Sequence, residues 1–262
     1  MPDSLLEIQK LCFKYPHSSE NILKGISLKA SSGETICLLG ANGCGKTTLI
    51  RLLLRFMSPQ SGNILIKGRN TKDIPERKLA KCFSYVPQLQ TTTFSYSVRD
   101  MVLMGRIPFS GCFRPYTKAD HKAADDAIER MQLTSLTSKS FMELSGGQRQ
   151  MVLIARAIAQ DAPICLMDEP ENGLDYGNQV KLFHHISTLS GGGMTFIITT
   201  HHPEHALWLS GRVILMKDGL VMSDGNCDEC ITQEKLKDIY GINILVNAGK
   251  DGSRYCRPSI YA

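Results

Sequence analysis

The chain has no run of about 18 consecutive apolar residues, which excludes a membrane-crossing helix. Its opening residues, "MPDSLLEIQK", lack a basic region followed by an apolar stretch, so they do not read as a secretory signal. The protein is therefore expected in the cytosol. Internal repeats and low-complexity tracts are missing, so the 262 residues suit one large domain, or a domain carrying an insertion. A paired cysteine framework is missing too. The nine cysteines are Cys12, Cys37, Cys44, Cys82, Cys112, Cys165, Cys227, Cys230 and Cys256, an odd and scattered set. Several lie in apolar runs such as "TICLLG" and "PICLM", and reduced, buried thiols are expected. Cys227 and Cys230 form a C-x-x-C, but no second pair and no His at finger spacing follows, so neither a zinc site nor a redox role is expected of them.

What is present is ordinary for a globular protein: 42% hydrophobic and 21% charged residues. The net charge of +5 suits work beside an anionic membrane surface, and a plain solvated surface explains it equally well.

The first third reads as short strands: "LEIQKLCFKY", "ILKGISLKA", "ETICLLG" and "GNILIKG". A Gly-rich turn follows "TICLLG". Then "KTTLIRLLLRFM" has the length and apolar density of a buried helix ended by "SPQSG". From about residue 91 to 150 helix formers dominate, and "TKADHKAADDAIERMQL" opens with Thr117 and Asp120 as a cap. Strands return at "PICLM" and "TFIITT". Between them, "GNQVKLFHHISTL" puts Val180, Phe183 and Ile186 on one helical face. "RVILMKDGLVMSDG" reads as a hairpin turning at Asp218-Gly219. Short apolar strands alternating with helices imply an α/β fold whose largely parallel sheet is covered on both faces.

"GANGCGKT", Gly40 to Thr47, fits G-x-x-x-x-G-K-[ST] between an apolar strand and a helix. Gly40, Ala41, Asn42, Gly43, Cys44 and Gly45 would curl backbone N–H groups around phosphates, and the helix start adds positive potential. Lys46 would reach the β and γ phosphates, the Thr47 hydroxyl would bind Mg²⁺, and Thr48 follows in the same turn. Downstream, "MDEPENGLD" packs Asp168, Glu169, Glu171 and Asp175 together. Asp168 leaves a buried strand where an open parallel sheet presents ligands, and would hold Mg²⁺. Glu169 would polarise the attacking water as general base, with a structural ion pair as its other use. Adjacent strand residues face opposite ways, so this pairing works only if the strand is already turning at Glu169.

"LSGGQRQ", Leu144 to Gln150, resembles the signature of ATP-binding cassette (ABC) proteins, and together with "GANGCGKT" and "LMDEP" the match spans nearly the whole chain. The resemblance implies a P-loop NTPase, RecA-like core (1–90 and 151–225) with an antiparallel β subdomain. It also implies an inserted helical subdomain (91–150) carrying the signature, and a C-terminal extension (226–262). Leu144, Ser145, Gly146, Gly147 and Gln148, at a helix start, would serve the ATP bound to a second copy. The implied assembly is a head-to-tail homodimer enclosing two ATP molecules. By the same resemblance Tyr15 stacks on adenine. Gln88 contacts Mg²⁺ and water, completing a metal set with Thr47 and Asp168. His201 is the switch histidine beside the γ-phosphate and Glu169. Asp175 belongs to the loop crossing the dimer interface. His202 stands where the family usually has Asp.

The run "FSYSVRDMVLMGRIPF" and the tail "GNCDECITQEKLKDIYGINI" resemble importer ATPases for iron-siderophore complexes, haem and cobalamin, with molybdate and tungstate relatives. That implies integral-membrane permease subunits and a separate substrate-binding protein as partners, no nucleic acid, and a peripheral position on the cytoplasmic face of the cell membrane. A soluble cassette, such as an iron–sulfur assembly factor, is the competing class. Phe94, Tyr96, Met101, Met104 and Arg106 are expected to help line the groove for a permease helix, because the stretch is apolar and Met-rich, with core packing an equal alternative for any one of them. Cys44 replaces the usual Ser of the phosphate loop. Its pKa is expected to be lowered by Lys46 and the helix start, making it reactive. Glu171 and Asn172 depart from the family's small residues. Glu171 is expected to point away from phosphate, toward solvent or a basic partner.

Overall fold

The computed structural model describes residues 4–88, 95–110, 115–250 and 252–259. The chain runs β1 (Leu6–Phe13), β2 (Leu23–Ala30), β3 (Thr35–Leu39), α1 (Lys46–Leu53), β4 (Ser61–Ile66), β5 (Arg69–Asn70), α2 (Glu76–Leu79) and β6 (Phe83–Val86). A helical stretch follows: α3 (Val98–Leu103), α4 (Ile107–Ser110), α5 (Lys118–Arg130) and α6 (Gly146–Ala159). Then come β7 (Ile164–Asp168), α7 (Tyr176–Gly191), β8 (Thr195–Thr200), α8 (Pro203–Leu209), β9 (Arg212–Lys217) and β10 (Leu220–Gly225). The chain closes with α9 (Cys227–Cys230), α10 (Gln233–Tyr240), β11 (Ile244–Ala248) and β12 (Arg254–Pro258).

Six strands form the central sheet in the order β10-β9-β3-β8-β7-β6. All neighbours in it are parallel except the β9–β10 hairpin at one edge. That hairpin turns at Asp218 and Gly219, both with positive φ (48° and 79°), as a tight two-residue turn requires. The sheet is apolar on both faces because alternate residues enter different cores. Ile36, Leu38, Ile164 and Leu166 pack toward the second sheet, β2-β1-β4-β5, which is antiparallel. Cys37, Leu39, Cys165 and Met167 pack with α3, α5, α6 and α7. Among the described residues no helix is long and apolar enough to cross a membrane.

Two local expectations are corrected. The helix begun at Lys46 stops at Leu53, not Met57. Arg55 takes a left-handed φ of 58°, and its guanidinium donates to the carbonyls of Thr71 (3.1 Å) and Ile74 (2.7 Å), which draws the chain off the helical path. On α7 the buried stripe is Leu182, Phe183 and Ile186, while Val180 is 45% exposed near the helix start. Strands β5, β6, β11 and β12 carry no strong sequence signal; β6 is only "FSYV" and is recognised by its pairing with β7. The expected cap at Thr117 and Asp120 is present as a reciprocal capping box. Helix α6 runs continuously across residue 150, joining the "LSGGQ" turn to the edge of the central sheet.

Candidate functional site

Four adjacent strands, β3, β8, β7 and β6, each deliver polar residues from their C-terminal ends, the position where open parallel sheets bind ligands. After β3 comes the glycine loop. Gly43 and Gly45 have φ of 82° and 107°, and a Cβ on Gly45 would stand 2.7 Å from Leu23 Cδ2, so only glycine fits there. The loop feeds α1, whose first residue is Lys46. The Lys46 ammonium is 4% exposed and donates to the carbonyls of Gly40 (2.7 Å) and Ala41 (3.2 Å). It also lies 3.7 Å from Glu169 Oε1. A buried cation held by two neutral carbonyls and one carboxylate suits an anionic ligand.

β7 ends in Asp168. Its Oδ1 accepts the Thr47 hydroxyl at 3.0 Å and the Thr199 hydroxyl at 2.7 Å. Burial pushes the Asp168 carboxyl above its ordinary range, against those two hydrogen bonds. Thr47, Asp168 and Gln88 together offer hydroxyl, carboxylate and amide oxygens, the hard donor set of a small divalent cation. Among the described residues no cluster of three or more His, Cys, Asp or Glu side chains has metal-binding geometry.

Glu169 follows with φ of 46°, a left-handed turn that ends the strand alternation. Its backbone N–H donates to Thr199 Oγ1 at 2.9 Å, which fixes the turn. The side chain then faces Lys46, Gln88 and Asn172. Glu169 Oε2 accepts two amides, Gln88 Nε2 at 2.9 Å and Asn172 Nδ2 at 2.9 Å. Oε1 faces Lys46 and lies 3.4 Å from His201 Nδ1, a buried nitrogen with no hydrogen-bond partner.

Tyr15, Asn42, Gly43, Gly45, Lys46, Thr47, Thr48, Gln88 and Glu169 line one open cleft of about 420 Å³, joined by Ile22. The Tyr15 hydroxyl is 3.1 Å from Thr48 Oγ1, and its ring packs edge-on against Phe13 at 5.0 Å. Gly40, Ala41 and Cys44 sit behind the loop, outside the cleft lining.

The signature residues lie at the start of α6. Leu144 is buried, whereas Ser145, Gly146 and Gln148 are exposed. Ser145 and Gln148 form a capping box: the Gln148 N–H donates to Ser145 Oγ at 3.3 Å, and the Ser145 N–H to Gln148 Oε1 at 3.1 Å. A Cβ on Gly147 would stand 3.4 Å from both Asn178 and Leu174. Asp175, exposed, caps α7 by accepting the Asn178 N–H at 2.9 Å. So the "LSGGQ" turn and the Asp175 loop are neighbours on an exposed face.

The surroundings of Cys44, Glu171 and the expected groove residues differ in part from the sequence expectations. Cys44 is 5% exposed. Burial raises its pKa and outweighs the charge of Lys46, so the thiol is not an activated one. Glu171 does not reach solvent. It is 1% exposed and meets a basic partner, His205, at 3.3 Å. Burial pushes its carboxyl up, but hydrogen bonds from His205 and Thr200 outweigh that and hold it below the ordinary range. Of the expected groove residues, Phe94 lies outside the described residues, and Met104 lines a cavity of about 770 Å³ beside Phe56, Tyr85 and Ile107. Met101 takes the core-packing alternative, and Tyr96 is 37% exposed. Arg106 is structural: it donates to Asp120 at 2.9 Å and to the Ala159 carbonyl at 3.0 Å.

Thr199 and Tyr240, which carry no sequence signal, and Asn172, whose contact none foretells, complete the site. Thr199 ties Asp168 to the Glu169 turn, and Asn172 holds Glu169. Tyr240, from α10, donates its hydroxyl to the His201 carbonyl at 2.8 Å, so the C-terminal segment touches the His201 loop. Cys227 and Cys230 pack inward, their thiols against the carbonyls of Ala206 (3.2 Å) and Val213 (3.3 Å).

Residues 23–172 match the family model for the ABC transporter. The chain belongs to that family. As a member it binds and hydrolyses ATP. It is 36% identical over 236 residues to an uncharacterized ABC transporter ATP-binding protein of Haemophilus influenzae, covering 90% of this chain and 89% of that one. It is 28% identical to the ferric enterobactin transport ATP-binding protein FepC of Escherichia coli, over 94% and 91% of the two chains. The molybdate import ATP-binding protein MolC of Haemophilus influenzae is 35% identical, over 80% and 78%. Among solved structures, a metal-chelate type ABC transporter in an inward-facing conformation superposes with a TM-score of 0.85. It is 30% identical and covers 98% of this chain and 97% of that one.

Proposed function

We propose that the protein is the ATPase subunit of an importer for a metal chelate such as an iron-siderophore complex, haem or cobalamin. The full-length likeness to a metal-chelate type transporter carries this reading. The 35% identity to a molybdate import subunit supports a second cargo class, an oxyanion.

In this reading two copies meet head to tail, each "LSGGQ" turn and Asp175 loop facing the ATP held by the other's glycine loop. The subunit works on the cytoplasmic face of the membrane with permease subunits, and a separate binding protein supplies cargo from the far side. It has no nucleic-acid partner. The groove of about 770 Å³ bounded by Phe56, Tyr85, Met104, Ile107 and Pro108 receives a permease helix.

The chemistry follows from the residues. Lys46 leaves the Gly40 and Ala41 carbonyls for the terminal phosphates, and Tyr15 supports the base. Thr47, Asp168 and Gln88 would hold Mg²⁺, which would supply charge neutralisation at the phosphates. Glu169 Oε2 is committed to two amides, so Oε1 is the oxygen that takes the proton of the attacking water. His201, beside Oε1 with Nδ1 unpartnered, hydrogen-bonds the γ-phosphate and orients that water. Closure of the pair on ATP and reopening after hydrolysis drive the permease between its two states.

Uptake by a deletion strain, assayed with ferric siderophore, haem, cobalamin and molybdate, tests the cargo. Restoration of one metal-chelate uptake by the intact gene supports the reading. Restoration of molybdate uptake alone selects the second, and unchanged uptake of all four overturns both.

A further inference from the structure

Glu171 sits three residues beyond Asp168, in the turn that leaves β7, and its side chain is buried. The Thr200 hydroxyl, at the end of β8, donates to Glu171 Oε1 at 2.6 Å. The same hydroxyl oxygen accepts the backbone N–H of His202 at 3.1 Å. His205, from α8, places Nδ1 2.9 Å from Thr200 Oγ1 and 3.3 Å from Glu171 Oε1. The Thr200 proton is committed to Glu171, so the hydrogen-bond pattern puts a proton on His205 Nδ1. The His205 ring is boxed by Phe183 and Trp208, with centroids 4.6 and 5.1 Å away. Its Nε2 lies 3.4 Å from Gln179 Oε1, and Gln179 Nε2 donates to the Leu174 carbonyl at 3.1 Å.

This circuit spans two loops of the site. One end holds the Glu171–Leu174 segment that leads to Asp175. The other holds the main chain on both sides of His201: Thr200 by its side chain, His202 by its N–H. Nothing in the circuit enters the nucleotide cleft. A neutral aliphatic residue at 171 would strip Thr200 and His205 of their shared acceptor where water does not reach.

We propose that Glu171 is a positioning residue which, through the Thr200 hydroxyl and the His205 ring, fixes the main chain of the His201 loop and thereby the His201 ring against Glu169. This rests on the reading of Glu169 and His201 as the hydrolytic pair. Because Lys46, Tyr15 and the glycine loop are untouched, losing the brace slows turnover and leaves ATP affinity in place.

The test compares wild type, Glu169→Gln, Glu171→Ala, Glu171→Gln, Thr200→Val, Thr200→Ser and the double variant Glu171→Ala/Thr200→Val. Each is assayed for kcat and KM with MgATP and for thermal unfolding. Glu171→Ala and Thr200→Val should each lower kcat by roughly tenfold or more, with KM held within about threefold. Glu171→Gln keeps an oxygen acceptor and Thr200→Ser keeps the hydroxyl, so both should restore most of the rate. The double variant should be no slower than the worse single one. Wild-type kcat in Glu171→Ala, additive losses in the double variant, or no rescue by Glu171→Gln and Thr200→Ser would overturn the proposal. If Glu171→Ala does not fold, the Thr200 pair decides. A wild type that hydrolyses ATP alongside a dead Glu169→Gln and a fully active Glu171→Ala refutes the brace alone. An undiminished Glu169→Gln refutes the hydrolytic pair and the brace with it.

Discussion

Asn172 donates its side-chain amide to Glu169 Oε2 at 2.9 Å, on the same oxygen that Gln88 reaches from the other side. Gln88 follows β6 and Asn172 follows β7, so two loops grip one carboxylate. If Glu169 is the base proposed above, losing either donor frees its carboxylate to rotate away from the attacking water. Asn172→Ala should lower kcat by roughly tenfold while KM for ATP stays near wild type. Steady-state hydrolysis over a range of ATP concentrations checks this, and a rise in KM at constant kcat would point to a binding role instead.

The buried Cys44 thiol, raised in pKa by desolvation despite Lys46 nearby, should resist alkylation. Iodoacetamide at neutral pH is expected to label it roughly tenfold more slowly than a free cysteine in solution. Mass spectrometry of a digest after timed labelling measures the rate. Fast labelling at this site would mean that the glycine loop opens more readily than its packing implies.

Glu171 makes the fold acid-sensitive in a stated direction. Its folded-state pKa lies below the ordinary value of 4.5, so the unfolded chain binds its proton first as pH falls. The stability it contributes is full above that value and is lost as pH drops through the lower, folded one. Between about pH 5 and pH 3 the melting temperature of Glu171→Gln should fall less steeply than that of wild type. Parallel slopes would show that the His205 and Thr200 contacts do not favour the charged carboxylate.

Met104 lines the groove between α3–α4 and the β6 region, and Phe56 at its rim is 66% exposed. Introducing a charge there by Met104→Asp or Phe56→Asp should abolish co-purification with the permease while nucleotide binding persists. An intact complex with both variants would place the permease contact elsewhere.

The glycine loop before α1, the turn opening α6 and the strand end at Asp168 were legible because each is a contiguous pattern with its own local backbone form. The alternating faces of β3 and β7 were legible for a similar reason: continuous apolar runs mean burial on both sides. Glu171 was not, because its partner Thr200 stands 29 residues away and is brought close only when β7 and β8 pair. Cys44 misled because proximity to Lys46 is visible in sequence, whereas desolvation is not. Arg55 ended α1 through carbonyls of a later loop, again a tertiary cause. The left-handed φ of 46° at Glu169 is a local strain that residue propensity does not show.

The most direct measurement is ATP turnover and MgATP-dependent association of Glu169→Gln against wild type, by hydrolysis assay and size-exclusion chromatography. Loss of roughly a hundredfold or more in rate, with nucleotide still bound and a dimer accumulating, is the expected result. Wild-type turnover by Glu169→Gln, with no ATP-dependent dimer, would contradict the assignment of Glu169 Oε1 as the base between two cassettes.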